Sequence, residues 1–241
     1  FTYQLIKTII FGAILGLITY NLFLFFFIRE NIYLYYVLYI FLLTTYNIAI
    51  SQIITYIIPY PQDLIIYLIG SANIFALLFI KTFLKVKNTI HRYIIYTIIF
   101  LYLLLMILDL SMSLVTQLTI INLLFVLYLC IYALYQKNEQ VKYIILGWVL
   151  MLVGTFMQAL KVSGLWTIID YFPYFYESTI LAEAILFSVA LAARLNKNKQ
   201  LEKSLKTNTV LIKELHHRVK NNMQFIIIMY RLKLDKIMNP G

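Results

Sequence analysis

Seven long apolar runs, set one after another across the first 193 residues, constrain this chain more than any other feature of its sequence. A helix crossing the hydrocarbon core of a bilayer needs about 20 predominantly apolar residues, because in lipid every backbone N–H and C=O has to be paired within its own segment. The runs are Thr8–Ile28, Ile32 to about Tyr56, Leu64 to about Ile80, Tyr93–Leu108, roughly Leu114–Tyr135, Tyr143 to about Leu160, and Tyr174–Ala193. Arg29 and Glu30 close the first, Pro59 and Pro61 follow the second, and Lys81, Lys85 and Lys87 follow the third. Asp109 ends the fourth, and Lys137-Asn138-Glu139 ends the fifth. The seventh has the weakest apolar signal, since Glu177 and Glu183 interrupt it. The connections are short, so no soluble domain is inserted between spans. The expected fold is an all-α membrane protein, a seven-transmembrane helix bundle.

Composition excludes the main alternative. The chain is 63% hydrophobic and 12% charged, whereas a soluble domain is about one quarter charged and needs a solvated exterior. The single cysteine, Cys130, lies inside an apolar run and reads as a small buried or lipid-facing residue. Phe1 is not an initiator methionine and the C-terminus falls just after a helical pattern, so the chain reads as a fragment. No signal peptide is visible, since the first run has neither a basic leader nor a small-residue cleavage site.

Charge is distributed unevenly along the chain. From Arg194 onward there are eleven Lys/Arg against three Asp/Glu, a net +8 out of the +10 for the whole chain. The 1–2, 3–4 and 5–6 connections carry Arg29, then Lys81, Lys85, Lys87 and Arg92, then Lys137 and Lys142. The 2–3 and 4–5 connections carry none, and the 6–7 connection has only Lys161. The positive-inside rule then places the N-terminus outside and the basic tail in the cytoplasm, with Lys7 before the first span as a mild exception. A basic tail next to a span suits anionic lipid headgroups. Without an aromatic-interleaved base-stacking pattern, it gives no reason to expect nucleic acid as a partner.

Several residues within the runs are candidates for packing or function. Gly12 and Gly16 form a GxxxG in the first run, and Gly147 and Gly154 share one face of the sixth; both spacings permit close helix approach, within the chain more readily than between chains. Ionisable groups inside a membrane are costly and mark functional hypotheses. Glu183, near the middle of the seventh run, is therefore a candidate signalling residue, expected to be hydrogen-bonded inside the bundle. Lys161 is expected to pair with Asp109 or Asp170 at the outer rim. A proton or substrate relay through these groups would make the chain a transporter or channel with a lipid-anchoring tail. No span contains a proline, however, and paired broken helices are the better mark of a transporter.

The tail reads as a helix leaving the membrane. Asn196 to Asn208 is polar and charged without Gly or Pro. Leu201, Leu205, Ile212, Leu215, Val219 and Ile226 follow a 3–4 spacing, with Asn208 and Asn222 at seam positions. That is a coiled-coil-like stripe, and its simplest partner is the same helix of a second subunit, hence a homodimer. Within it lie His216 and His217, followed by Arg218, Lys220 and Asn221. Two adjacent helical histidines cannot both face one metal ion, so no metal is expected. His217 falls opposite the seam, where an imidazole can attack a phosphoryl group. Arg218 and Lys220 can attract phosphate, and Asn221 lies one turn on along the same face. On chemistry alone, a histidine in a basic solvated face is the commoner reading.

The run Leu211-Ile212-Lys213-Glu214-Leu215-His216-His217-Arg218-Val219-Lys220-Asn221-Asn222-Met223-Gln224 resembles the phosphoacceptor helix of histidine kinases whose acceptor box reads HRVKNN, a group related to the HWE kinases. The resemblance implies that His217, directly before Arg218, is the phosphoacceptor, with His216 as second choice; Met223 stands where Leu is usual. The segment Gly12 to Tyr39, with Tyr20-Asn21-Leu22-Phe23 and Arg29-Glu30-Asn31-Ile32-Tyr33-Leu34-Tyr35-Tyr36, is similar to the seven-transmembrane receptors with diverse intracellular signalling modules, as is Glu183 to Ala192. Together these imply the membrane portion of a bacterial two-component sensor histidine kinase in the inner membrane, passing phosphate to a response-regulator aspartate. The expected organisation is a sensor bundle over 1–195, a juxtamembrane signalling helix over 196–210 and the start of a phosphoacceptor region over 211–241. An extracellular ligand, of unknown kind, would be the stimulus. No cofactor is expected in this stretch; ATP and Mg2+ are implied for a kinase domain outside it.

Overall fold

The computed structural model of the chain describes residues 2–50, 63–108, 111–136, 138–162 and 174–238. Among them seven helices are long and apolar enough to cross a membrane, and no strand is present. They are α1 (Thr2–Ile28), α2 (Asn31–Ile50), α3 (Asp63–Phe83), α4 (Thr89–Ile107), α5 (Met112–Tyr135), α6 (Val141–Val162) and α7 (Phe175–Met238). The chain divides into two compact units, Phe1–Ala192 and Ala193–Gly241. The first holds the bundle, including the start of α7, and the second holds the rest of α7.

Polar residues end the helices where the apolar runs stop. After α1, Arg29 adopts a left-handed backbone (φ 58°) while its N–H donates to the Phe25 carbonyl at 2.7 Å. The chain thus reverses into α2 within two residues. Lys85 does the same after α3 (φ 50°), with the Val86 N–H donating back to the Lys81 carbonyl at 3.2 Å. This is the six-to-one bond that closes a helix through a left-handed residue. Asn88 then caps α4, its side chain accepting from the Ile90 N–H at 2.9 Å.

The bundle is apolar on both its inner and its outer faces. Ile14, Tyr36, Phe79, Leu77, Ile144 and Phe187 are buried, while Phe27 is 84% exposed and Ile107 78% exposed. Helices that are apolar all round belong in lipid, because water would not tolerate such an exterior. α1 turns only a narrow stripe inward, with Ile10, Ile14, Ile18 and Asn21 at helical spacing. Cys130 is fully buried among the helices.

The first part of α7 packs against several other helices, although Glu177 and Glu183 interrupt its apolar run. The Phe187 ring lies 5.3 Å from that of Phe79 on α3, 6.0 Å from Trp148 on α6, and 6.3 Å and 6.4 Å from Tyr39 and Tyr36 on α2. The polar residues that weaken the apolar run are met by protein groups instead of lipid. Gly147 and Gly154 of α6 make the close approach expected of them: a Cβ on Gly147 would sit 2.7 Å from Phe187 Cε1, and one on Gly154 would collide with the Thr179 side chain.

Other expectations are corrected. Gly12 and Gly16 do not pack against other helices among the described residues; both are exposed, and a Cβ added at either would meet none of those residues within 4 Å. The cause is the stripe through Ile10, Ile14 and Ile18, which turns the opposite side of α1 to the core. Lys7, expected before the first span, falls within it, since the apolar helix segment runs from Leu5 to Ile28. It lies inside α1, buried, with Nζ 2.9 Å from Glu177 Oε1 of α7. Helices also begin before the apolar runs, as at Thr2, Thr89 and Val141, because polar residues can complete a first turn outside the hydrocarbon layer. The expected pairing of Lys161 with Asp109 or Asp170, and the interfacial positions of Tyr56 and Tyr60, lie outside the described residues and side chains.

Candidate functional site

Glu183 is fully buried in the bundle. Its Oε1 accepts the Tyr39 hydroxyl of α2 at 2.8 Å, while Oε2 has no hydrogen-bond partner among the described residues. One turn along α7, Ser188 Oγ is 3.0 Å from the Tyr36 hydroxyl and accepts from Asn21 Nδ2 of α1 at 3.0 Å. The Tyr36 hydroxyl also donates to the Ala184 carbonyl at 2.7 Å. Polar groups of α1 and α2 are thereby tied to one face of α7 in a region of low dielectric, where such bonds are strong and unpaired groups are costly. Trp148 Nε1, also buried, has no hydrogen-bond partner among the described residues, and its ring stacks on Tyr39 at 6.2 Å.

Glu183 was legible in the sequence as an intramembrane carboxyl; its partners were not. Tyr36 and Tyr39 read as two more members of a Tyr-rich run, although their three-residue spacing puts both on one face of α2. The Lys7–Glu177 pair was equally hidden, because its members are 170 positions apart in the sequence. A second buried cluster joins Asn73 of α3 to α5, with Asn122 Nδ2 donating to Asn73 Oδ1 at 2.9 Å. Asn73 Nδ2 also reaches Thr119 Oγ1 at 3.3 Å.

In the second unit every residue from Leu201 to Arg231 is exposed. The apolar stripe is bare: Leu201, Leu205, Ile212, Leu215, Val219 and Ile226 are all more than half exposed. With about 100° per residue in a helix, His217 lies on the side opposite Leu215 and Val219. Asn221 shares the His217 face, and Lys220 flanks it by the same geometry. His216 is exposed as well, one residue nearer the seam. Arg218 is engaged with Glu214, its Nε donating to Oε1 at 2.8 Å. That pair is solvent-exposed and worth only about 0.3–0.5 kcal/mol, so a phosphate group could displace it. The arrangement offers an accessible imidazole between cationic and amide side chains. Among the described residues no three His, Cys, Asp or Glu side chains gather as a metal site would require.

Comparison with known families covers both units. Residues 214–241 match a family described as histidine kinase, which takes in His216, His217, Arg218, Lys220 and Asn221. Residues 3–194 match the family described as 7TM diverse intracellular signalling. No curated protein and no solved structure matches the chain at a significant level. The second match spans most of the sequence and all seven apolar helices up to Arg194, so the chain is a multi-pass membrane protein that belongs to the 7TM diverse intracellular signalling family.

Proposed function

We propose that the chain is the membrane and phosphoacceptor portion of a bacterial sensor histidine kinase, in which His217 carries the phosphoryl group. The observation that carries this reading is the exposed His217 opposite an equally exposed apolar stripe, inside the segment that matches histidine kinases. An unprotonated ring nitrogen of His217 attacks the γ-phosphorus of ATP; an N–P bond forms, the bond to the β-phosphate oxygen breaks, and ADP leaves. A response-regulator aspartate then attacks the phosphorus, and the histidine departs unmodified. ATP and Mg2+ belong to a catalytic domain and are assigned to no residue of this chain. Arg218 and Lys220 hold the transferred group by charge, and Asn221 positions one of its oxygens.

The bare stripe from Leu201 to Ile226 supports a homodimer, since a second copy of the helix would cover it. With the basic connections and tail on the cytoplasmic side of the inner membrane, an outside stimulus reaches the tail through α7. The buried bonds from Tyr36, Tyr39 and Asn21 to α7 give the bundle a means to hold that helix in one of two positions. Incubation of the complete protein with labelled ATP tests the assignment. Label is lost in His217→Gln and retained in His216→Gln; label that survives in His217→Gln but not in His216→Gln overturns it.

A further inference from the structure

A recess of about 430 Å3 opens in the bundle between the α3–α4 connection, the first turn of α4 and the last two turns of α5. Its volume is within the usual range of small-molecule sites. One wall is cationic and polar: Lys85, Lys87, Asn88 and His91. The floor is apolar, with Leu129 and Ala133 both buried. Among the described residues no carboxyl group lines it.

Several cations elsewhere in the bundle are engaged by protein groups. Lys7 is paired with Glu177, Lys81 Nζ donates to the Tyr96 hydroxyl at 2.6 Å, and Lys142 lies over the Tyr143 ring. Lys85 and Lys87 have no such partner among the described residues, and both are exposed beside the opening. His91 is 7% exposed, with Nε2 3.3 Å from the Tyr128 hydroxyl and its ring edge-on to Tyr128 and Tyr132. Those contacts engage Nε2 at the inner side of the recess. Asn88 uses Oδ1 to cap α4, which keeps its side-chain NH2 as a donor.

Unpaired ammonium groups, amide and imidazole polar atoms and a dry floor, with no opposing carboxyl, suit a ligand that is anionic at one end and apolar beside it. We propose that this recess binds a phosphate ester, its oxygens held by Lys85, Lys87 and Asn88 and its carbon portion against Leu129 and Ala133. The same chemistry is carried by the head of an anionic phospholipid and by a soluble phosphate ester. The site is independent of the phosphoacceptor reading, and its failure would leave that reading untouched.

Purified chain in a neutral detergent would be titrated separately with dihexanoyl phosphatidylglycerol and with glycerol phosphate, and binding followed by native mass spectrometry. Lys85→Gln/Lys87→Gln is expected to weaken binding about tenfold or more, on the scale of a lost charge-assisted hydrogen bond. The control Arg29→Gln/Lys142→Gln removes two cations from the neighbouring basic connections, and it should change binding less than about twofold if the recess, and not diffuse surface charge, holds the ligand. The unliganded melting temperature of each variant checks that the bundle is intact. Tighter binding of the phosphatidylglycerol, with this dependence, identifies a lipid head; equal binding of glycerol phosphate, with the same dependence, identifies a soluble ester. No binding of either probe, or equal losses in the two double variants, overturns the proposal.

Discussion

The Tyr39 hydroxyl donates to Glu183 Oε1 across 2.8 Å, joining α2 to the buried middle of the α7 span. Tyr39→Phe would strip the carboxyl of its only hydrogen bond to a described residue in a place water does not reach. The expected loss is about 1–3 kcal/mol of bundle stability. Tyr135→Phe, at a ring that is 82% exposed, should change stability by less than about 0.5 kcal/mol. Thermal unfolding of both variants in the same detergent provides the comparison. Glu183→Gln retains an acceptor for Tyr39 and should stay folded while altering signalling output in cells; unchanged output would remove Glu183 from the transduction path.

Lys7 and Glu177 lie 2.9 Å apart with both side chains less than one tenth exposed. Removing one partner leaves a charge without its counter-ion, and Lys7→Met alone should cost about 3–5 kcal/mol. Lys7→Met with Glu177→Met replaces the pair by apolar volume and should recover most of that loss. A double-mutant cycle on melting temperatures measures the difference. Additive losses would mean that the two groups are not coupled.

The glycines separate into two classes that hydropathy cannot distinguish. Gly147→Ala and Gly154→Ala push a methyl group into Phe187 and Thr179, so each should destabilise the bundle by about 1–3 kcal/mol. Gly12→Ala and Gly16→Ala meet open space and should be near neutral in the monomer, within about 0.5 kcal/mol. A melting series over the four variants ranks them, and a large loss at Gly12 would show that its face is covered.

If the tail stripe is a dimer seam, cysteines placed on it will cross-link and cysteines opposite it will not. Ile212→Cys and Leu205→Cys should give disulfide-linked dimers under mild oxidation, whereas Lys203→Cys should remain monomeric on a denaturing gel. The native Cys130 is fully buried and should contribute little background. Equal cross-linking at all three positions would indicate collision and not a defined seam.

The linear order of residues was enough to set the medium, the number of spans and the positions of the candidate histidines. Those properties are local: a run of about 20 apolar residues can satisfy its backbone in lipid only as a helix. Helical periodicity likewise places His217 opposite Leu215 and Val219 without reference to anything distant. Which side of each apolar helix faces its neighbours was not legible, because helices that are apolar all round carry no periodic signal. Only the tertiary packing turned Gly12 and Gly16 outward, set Gly147 and Gly154 against α7, and brought Lys7 to Glu177 and Tyr39 to Glu183. In lipid the cost of an unpaired polar group is met by partners that lie far along the chain, and their identity follows from which helices touch.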